Sequence, residues 1–594
     1  MKKKTIWLAT VAILILTACA SSPQRPAQIK GDDYAYTRDY LRWMIDKEMK
    51  DSDIAGLSIA LVDDQKIVWA EGFGYVDKVN KIKATPETIY RVGSITKLFT
   101  ASAVMQLAEQ GRLDIDQPLQ DYLPQFSIKS RFEDSGPITP RNLMTHHSGL
   151  PSNLINRMWG DETAHFTDVA AAMKEEYVAY PPNTIFSYSN LGFTLLGHLL
   201  EEVSGTPYAN HIEEQILRPA GMKQAYIEAN LRDDGRSSKG YFMKKEHATP
   251  RLRDMPAGSL NSSVVDLAHF AQTIFATGRS DGGQILKPET LAQMQQYQDG
   301  DAPFDLAPSI GLAWFLDDRF GEEAGLVASH SGGTLMFFSE FLTLPKQKLA
   351  VVVLANSNTA FGAVGEIAEK ALKLALESKT GITNKEPVEF KQKLPTLAED
   401  LERLPGAWSS VIGLLKIDRG GDQLKVELDG DRFRLVRRED GYYHLQYKLL
   451  GLLPIDLQGL ENPGFAYQQI AGREVVVVYI DGQPFSIVAE KAKPQPLPPA
   501  WEQHLGRYAT TNARGGVLLQ SIELSYQEGL LQAKSRIKTI PGVEEITTRV
   551  LVPVNDNEAV IHGLGRGKGD TVRFFERNGE SLASYSGFLL RRVE

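Results

Sequence analysis

The sequence predicts an α+β protein: one antiparallel sheet flanked by helices, followed by one or two small all-β barrel-like domains. Three observations predict it. Residues 34–378 mix helical and period-two hydrophobic patterns, whereas residues from 401 onward are almost all short alternating strands and turns. Hairpin patterns stand at both ends of the first region, with helical patterns between them. The run Lys493-Pro494-Gln495-Pro496-Leu497-Pro498-Pro499 then cuts the β-rich tail in two.

The N-terminus reads as a targeting segment. Met1 to Lys4 carries three lysines, Ile6 to Leu16 is apolar, and Ala18-Cys19-Ala20 is small. That is the layout of a secretory signal, too short for a comfortable membrane span. Leu16-Thr17-Ala18-Cys19 resembles a bacterial lipobox, in which cleavage falls before a cysteine that is then lipidated. Cys19 is the sole cysteine in 594 residues, so no internal disulfide framework exists. The expectation is a signal peptide at 1–18, a lipidated tether at 19–33, and a membrane partner reached through the lipid. Ala20 stands where an aspartate would signal inner-membrane retention. The expected address is the bacterial envelope, lipid-anchored, with the outer membrane facing the periplasm leading and the inner membrane left open. The formal charge is −9, and becomes −12 once a leader with three lysines and no acids is removed. This mildly acidic balance argues against a nucleic-acid partner.

The first domain, 34–378, opens with a helical pattern from Tyr34 to Met49. Leu57, Ile59 and Leu61 alternate with smaller or polar residues, Asp63 to Lys66 forms a turn, and Ile67 to Tyr75 returns as a strand. Near the domain's end, Thr334–Leu344 and Leu349–Ala355 flank a turn at Pro345–Lys348, and Phe361–Leu376 is helical. One sheet built from both ends of the domain follows. A polar linker, 379–400, leads to β-rich pieces at 401–492 and 500–594, with the Pro-rich linker 493–499 between them. Leu404-Pro405-Gly406-Ala407-Trp408 and His504-Leu505-Gly506-Arg507-Tyr508 open the two pieces alike, as in a weak internal repeat. Trp408, Tyr442 and Tyr443 read as core residues.

The chemistry begins at Ser94-Ile95-Thr96-Lys97. Lys97 to Gln110 reads as a helix with Leu98, Ala101, Met105 and Ala108 on one buried face and Gly111 as its stop. Residues three apart share a helix face, so Lys97 sits beside Ser94. A serine hydroxyl is a weak nucleophile until a neighbour takes its proton. A lysine whose proton affinity is lowered by its surroundings can do so. Downstream stand Tyr188-Ser189-Asn190, ahead of a helical Leu191–Glu202, and His330-Ser331-Gly332-Gly333 at a strand end. His146-His147 lacks a third ligand in recognisable spacing, which argues against a metal there.

Tyr90 to Thr100 around Ser94, the Tyr188–Asn190 element, the His330–Gly333 element, and the framing segments Leu143–Pro151 and Pro256–Leu260 together resemble the class C β-lactamase and penicillin-binding-protein-like serine hydrolases. The β-rich tail resembles that of relatives with lipocalin-like C-terminal domains. The resemblance implies that Ser94 is acylated and that Lys97 and Tyr188 share the proton work, with the first base left open between them. It implies that Asn190 bonds Lys97 or the substrate amide, and that the backbone N–H groups of Ser94 and Gly333 hold the oxyanion. His330 and Gly332 complete the third element, and no cofactor or metal is implied. A tyrosine beside a lysine cation is expected to have a depressed proton affinity.

One departure matters. His330 stands where β-lactamases carry a lysine whose fixed charge holds the β-lactam carboxylate. A histidine is only partly charged near neutral pH. The expected activity is therefore that of an envelope serine hydrolase acting through an acyl-enzyme on peptide, amide or ester bonds. D-amino-acid peptides lead the substrate classes, and β-lactams come after them. The alternatives are a protein acylated at Ser94 without turnover, which would act as a penicillin-binding or sensor protein, and an interaction scaffold. Oligomeric state is left open.

Overall fold

A computed structural model describes residues 22–26, 29 and 34–593, apart from 134, 161–163, 299–301, 307–308, 384–389, 391, 429, 450–452, 456–462, 481, 515 and 540–541. The expected signal peptide, Cys19 and most of the tether lie outside the described residues. No described helix is long and apolar enough to cross a membrane.

The sheet of the first domain joins the two ends of that region. Gly56–Asp63 pairs antiparallel with Leu349–Ala355, from Leu57 opposite Ala355 to Asp63 opposite Leu349. On one side follow Lys66–Asp77 and Ile82–Lys83; on the other Phe338–Leu344, Val327–Gly333 and Phe315–Asp317. The central strands are buried on both faces, which is why they read as nearly unbroken apolar runs. Leu57, Ile59, Leu61, Val351 and Val353 face the helices Ala35–Asp51 and Ala363–Thr380. Ala60, Val62, Ala350 and Val352 face the larger core, to which the helices Thr96–Glu109, Asn190–Ser204 and Val264–Phe275 contribute. The strand expected at Thr334–Leu344 begins only at Phe338. Residues 334–337 form a tight connection, with the Thr334 N–H donating to the Phe337 carbonyl at 2.9 Å.

The helix Thr96–Glu109 differs from the one-faced helix its apolar spacing predicts. Eleven of its 14 residues are buried. Its polar side is small enough to pack and satisfies its own hydroxyls: Ser102 Oγ donates to the Leu98 carbonyl at 2.7 Å, and Thr100 Oγ1 to the Pro256 carbonyl at 2.7 Å. Asn190–Ser204 crosses the short helix Met255–Gly258 at Gly197, where a Cβ would stand 2.1 Å from Pro256 Cγ. That close approach keeps the pieces of the site in register.

The tail forms two barrels. Strands within 506–592 make a closed barrel of eight. Strands within 406–492 make a nine-stranded sheet that closes where Asp431–Arg437 pairs with Tyr443–Leu449, with Leu453–Ile455 added at the side of the latter. Both open with a glycine in the positive-φ region, Gly406 and Gly506. Both then place an aromatic residue inward that bonds back four residues: Trp408 Nε1 to the Leu404 carbonyl at 2.8 Å, and Tyr508 Oη to the His504 carbonyl at 3.1 Å. The repeated opening thus corresponds to a shared structural device. Trp408 and Tyr443 are core residues, whereas Tyr442 stacks on Tyr479.

The second barrel packs on the first domain. Ser586 Oγ accepts from the Ile155 N–H at 2.8 Å and donates to the Asn153 carbonyl at 3.1 Å. Arg131 bridges Glu558 at 2.9 Å, and Arg573 bridges Glu176 at 3.1 Å. Val475, Val477 and Ile487 of the first barrel meet Tyr180 and Ile185 of the first domain and Leu564 of the second barrel in one apolar cluster. The four consecutive valines at 475–478 reflect a strand buried on both faces.

Trp501, from the turn Pro499–His504, plugs the second barrel against Phe574 at 5.4 Å between ring centroids. Trp501→Ala is expected to destabilise this barrel by about 3–5 kcal/mol, read as a lowered calorimetric transition; an unchanged transition would show that the plug adds nothing.

Candidate active site

Ser94 lies in a single 3-10 turn, Gly93–Ile95, that feeds directly into the helix Thr96–Glu109. Gly93 is required there. Its φ is +56°, and a Cβ on it would stand 2.8 Å from the Gly333 backbone nitrogen. Gly332 is pressed harder still, with a Cβ position 1.9 Å from the Val92 carbonyl oxygen. The nucleophile turn and the strand Val327–Gly333 therefore lie backbone against backbone. Ser339 Oγ ties them by donating to the Val92 carbonyl at 2.8 Å. Gly333 is exposed on the site side.

Lys97 is fully buried, and its Nζ lies 3.2 Å from Ser94 Oγ. It also donates to Asn190 Oδ1 and to the Ala257 carbonyl, each at 2.8 Å. Burial holds the amine well below its ordinary proton affinity, and the Arg566 cation pushes it further down against the weaker pull of Asp254. A neutral amine has two N–H donors and one lone pair. The two acceptor-only partners take the donors, and the lone pair is left for the Ser94 hydroxyl. Lys97 is thus placed to accept the Ser94 proton.

Tyr188 is hydrogen-bonded to Ser94, but burial pushes its phenol up to about 12, outweighing both that bond and the Arg566 charge. The depressed tyrosine expected from the sequence is overturned. Tyr188 therefore keeps its phenolic proton at neutral pH. Its ring stands 4.2 Å from that of His146, centroid to centroid.

Asn190 is the first residue of its helix. The cap is Ser189, whose Oγ accepts from the Gly192 N–H at 3.1 Å. The Asn190 amide is thereby free to bridge, donating to Asn153 Oδ1 at 2.8 Å while accepting from Lys97. His330 Nδ1 donates to the Ser331 carbonyl at 2.6 Å, and burial drives its pKa down to about 3. The partial charge expected of it is therefore absent at neutral pH. His146 Nδ1 accepts from the Ser189 N–H at 3.1 Å, and His147 Nε2 meets Asp305 Oδ2 at 2.6 Å. Asp305 also accepts from the Phe186 N–H at 2.8 Å, so both histidines brace the segment that carries Tyr188.

Three contributors escaped the sequence reading. The Ala257 carbonyl lies in a segment noted only as framing. The buried pair Arg253–Asp254, at 2.6 Å, holds the loop below it through the Leu154 and Asn156 carbonyls. The third is Arg566, in the second barrel's loop Gly563-Leu564-Gly565-Arg566-Gly567-Lys568-Gly569. Its guanidinium carbon is 5.0 Å from the Tyr188 ring centroid, and the side chain is exposed. The loop is pinned to the first domain by Tyr180 Oη, which donates to the Gly563 and Gly565 carbonyls at 3.1 and 3.3 Å. The Gly567 N–H donates to Ser152 Oγ at 3.1 Å. Four glycines alternating through seven residues were the visible signal.

A serine beside a neutral lysine, with a tyrosine donor and a backbone cradle, defines the active-site-serine class of acyl-transferring enzymes. A β-lactamase family model matches residues 41–375, and the chain belongs to that family. It is 28% identical to Protein flp of Staphylococcus aureus (strain MRSA252) over 331 residues, 54% of this chain and 62% of that protein. It is 27% identical to the putative penicillin-binding protein PbpX of Bacillus subtilis (strain 168) over 268 residues, 43% and 66% of the two chains. The chain thus spans about three-fifths of the Protein flp relatives it matches. Similar folds include SurE, with TM-score 0.55 and 22% identity, covering 78% of this chain and 100% of that one. They also include the octameric penicillin-binding protein homologue from Pyrococcus abyssi, with TM-score 0.50 and 20% identity, covering 93% and 99%.

Because Arg566 lowers the Lys97 proton affinity, Arg566→Ala is expected to raise it. The base is active when neutral, so the acidic limb of the pH–rate profile for Ser94 acylation should move to higher pH. An unmoved limb would remove Lys97 as the titrating base or Arg566 as its neighbour.

Proposed function

We propose that this protein is an envelope hydrolase that forms an acyl-enzyme on Ser94, acting on peptide, amide or ester bonds next to a free carboxylate, with D-amino-acid peptides as the leading substrates. The observation that carries the substrate class is Arg566. The other cationic residues of the site, Lys97 and His330, are driven toward neutrality, and no carboxylate of the described residues pairs with Arg566. A fixed, exposed, unpaired guanidinium at the mouth suits a carboxylate, which it binds in a fork. SurE, among the similar folds, has been solved with D-Leu, which accords with a D-residue here.

In the proposed reaction Ser94 Oγ attacks the carbonyl carbon as Lys97 Nζ takes its proton. The oxyanion lies toward the backbone N–H groups of Ser94 and Gly333, donors of a kind worth about 3–4 kcal/mol of barrier each. Tyr188 gives its phenolic proton to the leaving group and recovers one from Lys97, which returns the amine to neutrality. Water then releases the acyl group by the same transfers in reverse. The lipid on Cys19 would hold this chemistry at the membrane.

The test is a pair of D-alanyl peptides, one ending in a free carboxylate and one amidated, followed by intact mass and product release. Ser94→Ala should abolish both adduct and product. Arg566→Ala should lower kcat/KM for the free acid by about tenfold or more, the worth of one charge-assisted bond at ~1.5–3 kcal/mol. On the pH plateau above the acidic limb, Arg566→Lys should restore part of the loss, and the amide should change little. Equal losses on both peptides would overturn the carboxylate assignment. A lasting Ser94 adduct without product would assign the acylated, non-turning-over alternative.

A further inference from the structure

The two ends of the first domain's sheet hold different things. At one end Asp63 stands opposite Leu349, and Leu349 opposite Leu344. At the other, Leu57, Ala355, Phe338 and Gly333 follow one another across four strands. The turn that carries Ser94 lies against Gly333, so the chemistry belongs to this second end. Leu349 to Ala355 is a run of six steps at ~3.4 Å, which sets the two ends about 20 Å apart.

The N-terminal tether meets the first end. Arg25 Nη2 donates to both carboxylate oxygens of Glu377, at 2.6 and 2.7 Å. Glu377 lies in the last turn of the helix Ala363–Thr380, two residues before Lys379. Lys379 Nζ donates to Asp63 Oδ1 at 2.5 Å and to the Gln347 carbonyl at 2.7 Å. Tyr34, where the domain begins, is buried and donates its hydroxyl to Asp63 Oδ2 at 2.7 Å. Ile29, between Arg25 and Tyr34, is buried as well.

Length decides what this implies. Cys19 to Arg25 is six residue steps, a reach of ~20 Å when fully extended. Glu377 back to Ala363 is 14 helical steps, about 21 Å. Ala363 marks the active-site end, since Phe361 just before it meets Phe338 at 5.5 Å between ring centroids. A bilayer holding a lipid on Cys19 therefore lies close to the Asp63 end. It could meet the active-site end only with the tether drawn straight along the whole helix. The exposed charges of the near end are mixed, Lys66, Lys346 and Lys348 against Glu322 and Glu323, so headgroup attraction is not what holds it there. We propose that the first domain stands on the bilayer by its Asp63–Lys379 end, with Ser94 at the opposite end and reached from the aqueous side. This placement rests on the lipid on Cys19 that belongs to the proposed function.

The test uses the full lipidated chain, added to preformed phosphatidylcholine vesicles that carry an energy-transfer acceptor on their headgroups. Cys19 is the sole cysteine and its thiol is taken by the lipid, so a donor dye reacts only with an added one. The dye is placed on Lys66→Cys at the near end or on Phe361→Cys at the far end, both exposed positions. Transfer is expected to be about threefold or more greater from position 66, for ends ~20 Å apart. Intact mass reports the lipid, and Cys19→Ser should leave both labelled proteins in solution. Lipidated, vesicle-bound protein with equal transfer from the two positions, or more from 361, would overturn the placement alone. A mass that shows no lipid on Cys19 would overturn the anchor and the placement with it.

Discussion

The burial of one amine governs the site. Lys97 has no access to water, and its two acceptor contacts are an amide oxygen and a backbone carbonyl, neither of which bears a full charge. A protonated lysine there would lose its hydration without gaining a counterion in contact. The surrounding architecture serves that condition. Gly197 lets the Asn190 helix close on Pro256, which brings Asn190 and Ala257 to the amine from two directions. The small polar face of the Thr96–Glu109 helix lets it sink into the core with Lys97 at its start. Ser94 and Tyr188 remain half-exposed above this buried base, where a substrate can reach them.

The charge balance of the site follows. With His330 held neutral and Tyr188 held protonated, positive charge comes from a separate barrel through Arg566. The same cation helps keep Lys97 deprotonated. One side chain thus acts on the base and faces the approaching substrate. Its loop has the fixed anchors such a role needs: two carbonyls on Tyr180 and an N–H on Ser152.

Much of this was legible in the chain. The antiparallel sheet drawn from Gly56–Asp63 and Leu349–Ala355 follows from period-two alternation at both ends. The two barrels follow from short alternating strands and a Pro-rich break. Ser94, Lys97, Tyr188, Asn190 and the His330–Gly333 strand could be picked out because each sits in a local motif, and the structure brings them together. What motifs did not carry was protonation. The pKa of Tyr188 and of His330 depends on how much water the fold removes, a tertiary quantity with no local signature. Residues 153–157 give no local signal for a related reason. Their partners, Ser586 and the Arg514 carbonyl, are more than 350 residues away. Arg566 carries no motif of its own.

The anchoring of 151–157 by the second barrel also sets an order of events. The candidate site residues of the first domain all precede position 334, whereas Ser586 and Arg566, which steady the mouth and charge it, come more than 200 residues later. A chain emerging from its N-terminus, and folding domain by domain, assembles the nucleophile first and its mouth last. Until the final strands close, Ser94 and Lys97 stand without the Arg566 cation. The mouth of the site is therefore the last part of the chain to be made.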